Sequence, residues 1–121
     1  MSDLKTDREK NLLREDSINF ALSVARKCEG VKGAAIYINQ LLRASSSIGA
    51  NIHEAKYAQS RADFVNKLEI ALKESSETEY WLEFIFRLGI FAEEDYIKLK
   101  NTCGTIRRRL IASITTAKAN G

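Results

Sequence analysis

The chain has 121 residues, enough for one domain with a substantial core and too few for two. With no proline and only six glycines, few turns and long helices are expected; 45% hydrophobic and 29% charged residues is the composition of a soluble globular protein. The net charge of +3 identifies no partner alone, the polar opening MSDLKTDREKN does not resemble a signal peptide, and no apolar run approaches the roughly 20 residues a membrane span needs.

Thr6 followed by Glu9 has the form of a capping box and opens a first helix, whose buried stripe is Leu13, Ser17, Phe20, Val24 and Cys28. Gly30 and Gly33 bracket a short break. A second helix covers about Ala35 to Ala55, with Ile38, Leu41, Ser45, Ile48, Ile52 and Ala55 on one stripe at three- and four-residue steps. Ser60 and Asp63 form another capping box, opening a third helix that lasts until Gly89, where a left-handed C-terminal cap is expected. Its stripe is Phe64, Leu68, Ala71, Ser75, Thr78, Leu82 and Ile85. Small residues in the middle of both stripes predict a close approach between the second and third helices.

Glu93, Glu94 and Asp95 suit the positive end of a fourth helix, whose seam is Leu99, Cys103, Ile106, Leu110, Ser113 and Ala117. Gly104 lies inside it and weakens it by roughly 1 kcal/mol relative to alanine. The connections are short, so neighbouring helices run antiparallel. The expected fold is a single all-α, up-down-up-down four-helix bundle over residues 1–121, frayed at 1–6 and 119–121. Cys28 and Cys103 fall at helix-interior positions and, with no secretion signal, are expected as buried thiols in a cytoplasmic protein.

The apolar residues exceed what one bundle seam requires. Tyr80, Trp81, Phe84, Ile85 and Phe86 cover most of the third helix's circumference, and Ile90 and Phe91 follow. Either this end is the centre of the core or it is a self-association surface made by Tyr80, Trp81, Phe84, Phe86 and Phe91.

Charge is unevenly distributed. From Tyr96 onward there is no acid, while Lys98, Lys100, Arg107, Arg108, Arg109 and Lys118 are basic. On a helical wheel Lys100, Arg107 and Lys118 form a column on one flank, Arg108 points outward, and Lys98 and Arg109 line the other flank. Such cations suit a phosphate backbone; the competing reading is a solvated face helped by the helix dipole. Tyr96 is the only aromatic nearby, so base stacking is not indicated.

Catalytic patterns are missing. His53 is the only histidine, which precludes a paired acid-x-x-His di-metal site, and there is no Cys-x-x-Cys, phosphate loop or nucleophile elbow. Ser45, Ser46 and Ser47 read as small residues for tight packing. Asn51 and Glu54 share one face near the end of the second helix, within reach of the following turn, of Arg43 or of Lys73. Arg43, Ser47, Asn51, Glu54 and Glu74 are therefore expected in a structural polar motif. No enzyme activity, metal or cofactor is expected.

One combination of residues is specific. Ser47-Ile48, Ala50-Asn51-Ile52 and Glu54-Ala55 are followed by Asp63-Phe64, Lys67-Leu68, Lys73-Glu74, Glu77-Thr78 and Tyr80-Trp81-Leu82, after Lys10-Asn11, Ser17, Phe20-Ala21 and Arg43. From about Lys10 to Lys118 the chain resembles the bacterial four helix bundle protein family, which includes proteins encoded in intervening sequences of large-subunit ribosomal RNA genes and once labelled S23 ribosomal proteins. Ala55 stands where many members have glycine, and Glu74-Ser75 where some carry glycine-serine. The resemblance implies an antiparallel bundle assembling as a homopentamer. One related branch, the accessory protein of diversity-generating retroelements, is a basic pentamer that binds RNA or DNA and a reverse transcriptase. It implies no catalytic residue. Two functional expectations result: an oligomeric nucleic-acid-binding accessory protein using the fourth helix, or an oligomeric adaptor for a protein partner such as a reverse transcriptase.

Overall fold

The structure is a computed structural model that describes residues 4–120. Four helices follow one another: α1 (Leu4–Cys28), α2 (Ala35–Ala55), α3 (Arg61–Arg87) and α4 (Glu93–Ala119). Helix α1 begins before the expected capping box, so Thr6 lies inside the helix; leucine and lysine at its start are good helix formers and extend it backward. Of the ends expected to fray, residues 1–3 and 121 lie outside the described residues, while residues 4–6 and 119 are helical.

The remaining ends follow the local chemistry of the sequence. Gly30 and Gly33 take positive φ between α1 and α2. Ser60 Oγ accepts the Asp63 N–H at 3.1 Å, and Asp63 Oδ2 in turn accepts the Gln59 N–H at 3.2 Å. At the other end of α3, Gly89 has φ +84; its N–H donates to Phe86 O and that of Ile90 to Ile85 O, the paired bonds of a Schellman cap.

Each helix packs against two others: α1 on α2, α2 on α3, α3 on α4, and α4 back on α1, with α1/α3 and α2/α4 on the diagonals. Cross-links show the antiparallel sense. Lys27 near the end of α1 reaches Asp95 at the start of α4, and Asp16 reaches Arg109 further along. The core holds Phe20, Val24, Leu41, Ile48, Leu82, Ile85, Ile106 and Leu110, all from the expected stripes. Two seam positions differ. Ile114 is buried in place of the half-buried Ser113, because a straight helix drifts from a seven-residue repeat toward its end. Phe64 is half-buried at the bundle end, with Lys10 Nζ 4.8 Å above its ring.

Buried hydroxyls are satisfied within their own helices. Ser17, Ser45, Ser75 and Thr78 donate to the carbonyls of Arg14, Leu42, Leu72 and Glu74. Helices α2 and α3 approach closely, as their small residues predict, and share the most extensive of the helix contacts; a further close approach lies at α1–α2, where a Cβ on Gly49 would stand 3.1 Å from Ser17 Oγ. Both cysteines are free and buried, and Cys103 Sγ–H donates to Ser75 O at 3.5 Å across α3–α4.

Candidate nucleic-acid interface

The six cations expected on α4 separate into two groups. Arg107 Nε lies 3.3 Å from Glu79 Oε2 and Lys118 Nζ 3.0 Å from Glu69 Oε2, both on α3, while Arg109 pairs with Asp16 on α1. These three hold neighbouring helices together, so two members of the expected Lys100, Arg107 and Lys118 column are already paired. Among the described residues Lys98, Lys100 and Arg108 have no carboxylate partner within ion-pair distance. Arg108 Nη2 donates to Thr105 Oγ1 at 3.2 Å, and Lys100 Nζ sits 5.8 Å above the Tyr96 ring.

Helix α1 adds cations that the sequence pattern did not single out. A groove of about 500 Å³ runs between α1 and α4, with Phe20 and Leu99 at its base and Arg26, Lys27 and Lys98 along it. Its one acid, Asp95, accepts Lys27 at 3.0 Å. Arg26 has no carboxylate partner among the described residues. Arg26 and Lys27 occupy the last turn of α1, where cations suit the dipole. That position hides their proximity to Lys98, which depends on α1 lying antiparallel to α4. Arg26 and Lys98 thus give the α1–α4 groove uncompensated positive charge, which Arg108 extends on the outer side of α4, while Lys100 lies on the α3 side with Arg107 and Lys118.

The opposite flank, α2–α3, has a different character. Tyr80 is 57% exposed, and Trp81 and Phe84 are half-buried. Tyr37 of α2 joins them, its ring 4.7 Å from Phe84 and 6.1 Å from Trp81. Phe86 and Phe91 do not belong to this cluster. Phe86 stacks on Tyr96 at 4.4 Å between α3 and α4, and Phe91 is 6% exposed, within the core.

The polar motif lies along the same flank. Arg43 Nη2 donates to Glu77 Oε1 at 2.6 Å and its Nη1 to Glu74 Oε1 at 3.3 Å. Glu54 accepts Lys67 Nζ at 3.0 Å and raises that ammonium's pKa through this bond. Ser47 Oγ donates to Arg43 O, and Asn51 Nδ2 to Ser47 O at 2.8 Å. Asn51 therefore stays on its own helix, and Glu54 takes Lys67 instead of the expected Arg43 or Lys73.

The side chains considered for catalysis have ordinary structural partners. His53 Nδ1 accepts from Arg14 Nε at 3.2 Å, and Ser46 and Ser47 both donate to Arg43 O. Among the described residues no three His, Cys, Asp or Glu converge as a metal site, and no helix is long and apolar enough to cross a membrane.

Comparison with known proteins places this architecture. The model of the 23S rRNA-intervening sequence protein family matches residues 9–112. A crystal structure from Bacteroides thetaiotaomicron, described as a protein with unknown function from the S23 ribosomal protein family, shares 42% sequence identity. It superposes with a TM-score of 0.83 over 88% of this chain and 98% of that one. No curated protein matches the chain.

Proposed function

The chain belongs to the 23S rRNA-intervening sequence protein family, and we propose that it acts as a non-enzymatic, homo-oligomeric accessory protein of the cytoplasm that binds the phosphate backbone of RNA or DNA. The observation that carries this reading is the α1–α4 flank. There Arg26 and Lys98 line the groove and Arg108 stands on the outer side of α4, all without carboxylate partners among the described residues, whereas Arg107, Arg109 and Lys118 each have one. Backbone phosphates supply the missing anions and release counterions on binding. Several copies in one assembly add their flanks together, so that modest charge per chain becomes avidity.

Anisotropy with fluorescent structured RNA and duplex DNA across a salt series tests the reading. Wild-type protein should bind saturably, with affinity falling steeply as salt rises. Arg26→Ala, Lys98→Ala and Arg108→Ala combined should weaken binding across all sequences and lower the duplex slope by about 0.9 per lost phosphate contact. Equal binding by the triple variant rejects the flank as the site. The exposed Tyr80 with its neighbours supports a second reading, an adaptor for a protein partner such as a reverse transcriptase. No nucleic-acid binding even at low salt favours that account.

A further inference from the structure

We infer that the end of the bundle where α1 begins and α4 finishes holds a site for a small amphipathic carboxylate, an apolar tail carrying one anionic head. The inference goes beyond the proposed function and does not rest on it, since this site lies at the opposite end of the α1–α4 seam from Arg26 and Lys98. Side-chain size creates the space. In the last turns of α4 the residues toward α1 are Ala112, Ser113 and Thr116, too small to fill the gap beside Leu12 and Leu13. A cleft of about 590 Å³ results, with buried Leu13 and half-buried Phe64 inside and Leu12, 48% exposed, at its mouth. That volume falls in the range of about 300–1,000 Å³ typical of small-ligand pockets, which in helix bundles lie between helices.

A second hollow of about 490 Å³ continues from the cleft and shares Lys10, Leu13, Phe64 and Ser113 with it. Phe64, whose spacing belongs to the core stripe of α3, therefore lines both hollows instead of closing the bundle end. Lys10 Nζ stands 4.8 Å above its ring. An apolar tail lying along Phe64 and Leu13 is thus within reach of an ammonium at its polar end.

The head group follows from the charges. Arg61, the first residue of α3, reaches across to α4 and donates from Nη1 to Ala117 O at 3.1 Å, which fixes its guanidinium at the cleft. It has no carboxylate partner among the described residues, and its remaining N–H groups suit the two oxygens of a carboxylate. Lys10 is the second cation of the lining, while the third, Arg109, is occupied by Asp16. In the adjoining hollow Arg14 is held by Glu15, and Lys56 lies over the Tyr57 ring at 5.8 Å. Glu9 is the one acid lining the cleft. Lys10 and Arg61 against Glu9 leave a single net positive charge, which matches a monoanion and disfavours an organic cation or a dianionic phosphate ester.

Calorimetric titration of the full chain with sodium octanoate, below its micelle concentration, tests this, and amide NMR shifts locate the site. Octanoate should bind saturably at a single site per chain, with the shifts gathered at Leu13, Phe64 and Ser113. Hexanoate, shorter by two methylenes, should bind roughly tenfold more weakly. The neutral analogue 1-octanol should also bind about tenfold more weakly than octanoate. Arg61→Gln should bring octanoate down to the level of octanol and leave octanol unchanged. Ser113→Phe, which fills the cleft, should abolish binding of both at unchanged helical circular dichroism. Should it fold poorly, Ala112→Phe on the exposed part of the wall is the second variant, with the same expected result. Lys32→Gln, in the α1–α2 connection at the other end of the bundle, should change nothing. Absence of saturable octanoate binding overturns the inference, as do shifts gathered instead at Tyr37 and Trp81. Octanol binding as tightly as octanoate, or octyl phosphate binding more tightly, overturns it as well. So does an octanoate affinity untouched by Arg61→Gln and by the cleft-filling variants.

Discussion

Ser17 Oγ occupies the space that a side chain on Gly49 would need: a Cβ built on the glycine meets it at 3.1 Å. The contact lies where α1 packs on α2. Gly49→Ala should gain less than the roughly 1 kcal/mol that alanine ordinarily brings to a helix interior, because the serine must give way. In a Ser17→Ala background the gain should be recovered. Urea unfolding of the two single variants and the double variant reads the coupling, which should be positive and about 1 kcal/mol or less.

Gly104 is the opposite case. A Cβ there would meet only Arg108 Nη1 at 3.3 Å and Arg107 Nη2 at 4.0 Å, the tips of two flexible side chains. Gly104→Ala should therefore stabilise the protein by about 0.5–1 kcal/mol, visible as a higher urea midpoint at unchanged slope.

The Cys103 thiol is pushed up from 9.0 to about 12 by burial, with Glu79 adding to the shift and Arg107 opposing it. The folded state holds this proton more tightly than the unfolded one. Its contribution to stability is complete below pH 9.0 and is lost progressively as the pH rises toward about 12. Within that window the wild type should lose up to about 1.4 kcal/mol per pH unit more than Cys103→Ala. At pH 8 a thiol reagent should leave Cys103 unmodified in the native protein and modify it once the chain is unfolded in denaturant.

Arg43 spans α2 to α3 and holds Glu74, whose side chain is 14% exposed. Arg43→Ala leaves that carboxylate in a largely dry place without its cation. Stability should fall by about 1–3 kcal/mol, and adding Glu74→Gln should restore part of the loss. Thermal unfolding of the single and double variants reads this directly; strict additivity would mean that the two side chains are uncoupled.

The residues that specified their own surroundings were legible in the sequence. Ser60, Asp63 and Gly89 ended α3 where local bonding demanded, and the stripes of Leu41, Ile48, Leu82 and Ile106 named the core, because helix periodicity is a property of one segment at a time. The candidate site was less legible. Whether Arg107 meets Glu79 or stands free is decided by the register between α3 and α4, and Arg26 joins Lys98 only through the antiparallel placement of α1. The aromatic residues divided for the same reason. Phe86 found Tyr96 and Phe91 turned inward, while Tyr37, which the composition of α3 could not reveal, completed the outward cluster.

The α1–α4 seam has a consequence for how the protein is made. The hairpins α1–α2, α2–α3 and α3–α4 each join neighbours in the chain, but of the four helices α1 and α4 lie farthest apart in sequence. Closing that seam pays for the longest loop and adds the most distant contacts, which places it late in folding. A nascent chain with three helices outside the ribosome already owns its α2–α3 face, yet it has no groove bringing Arg26 beside Lys98. The proposed phosphate-binding flank is thus assembled only once α4 has emerged and packed against α1.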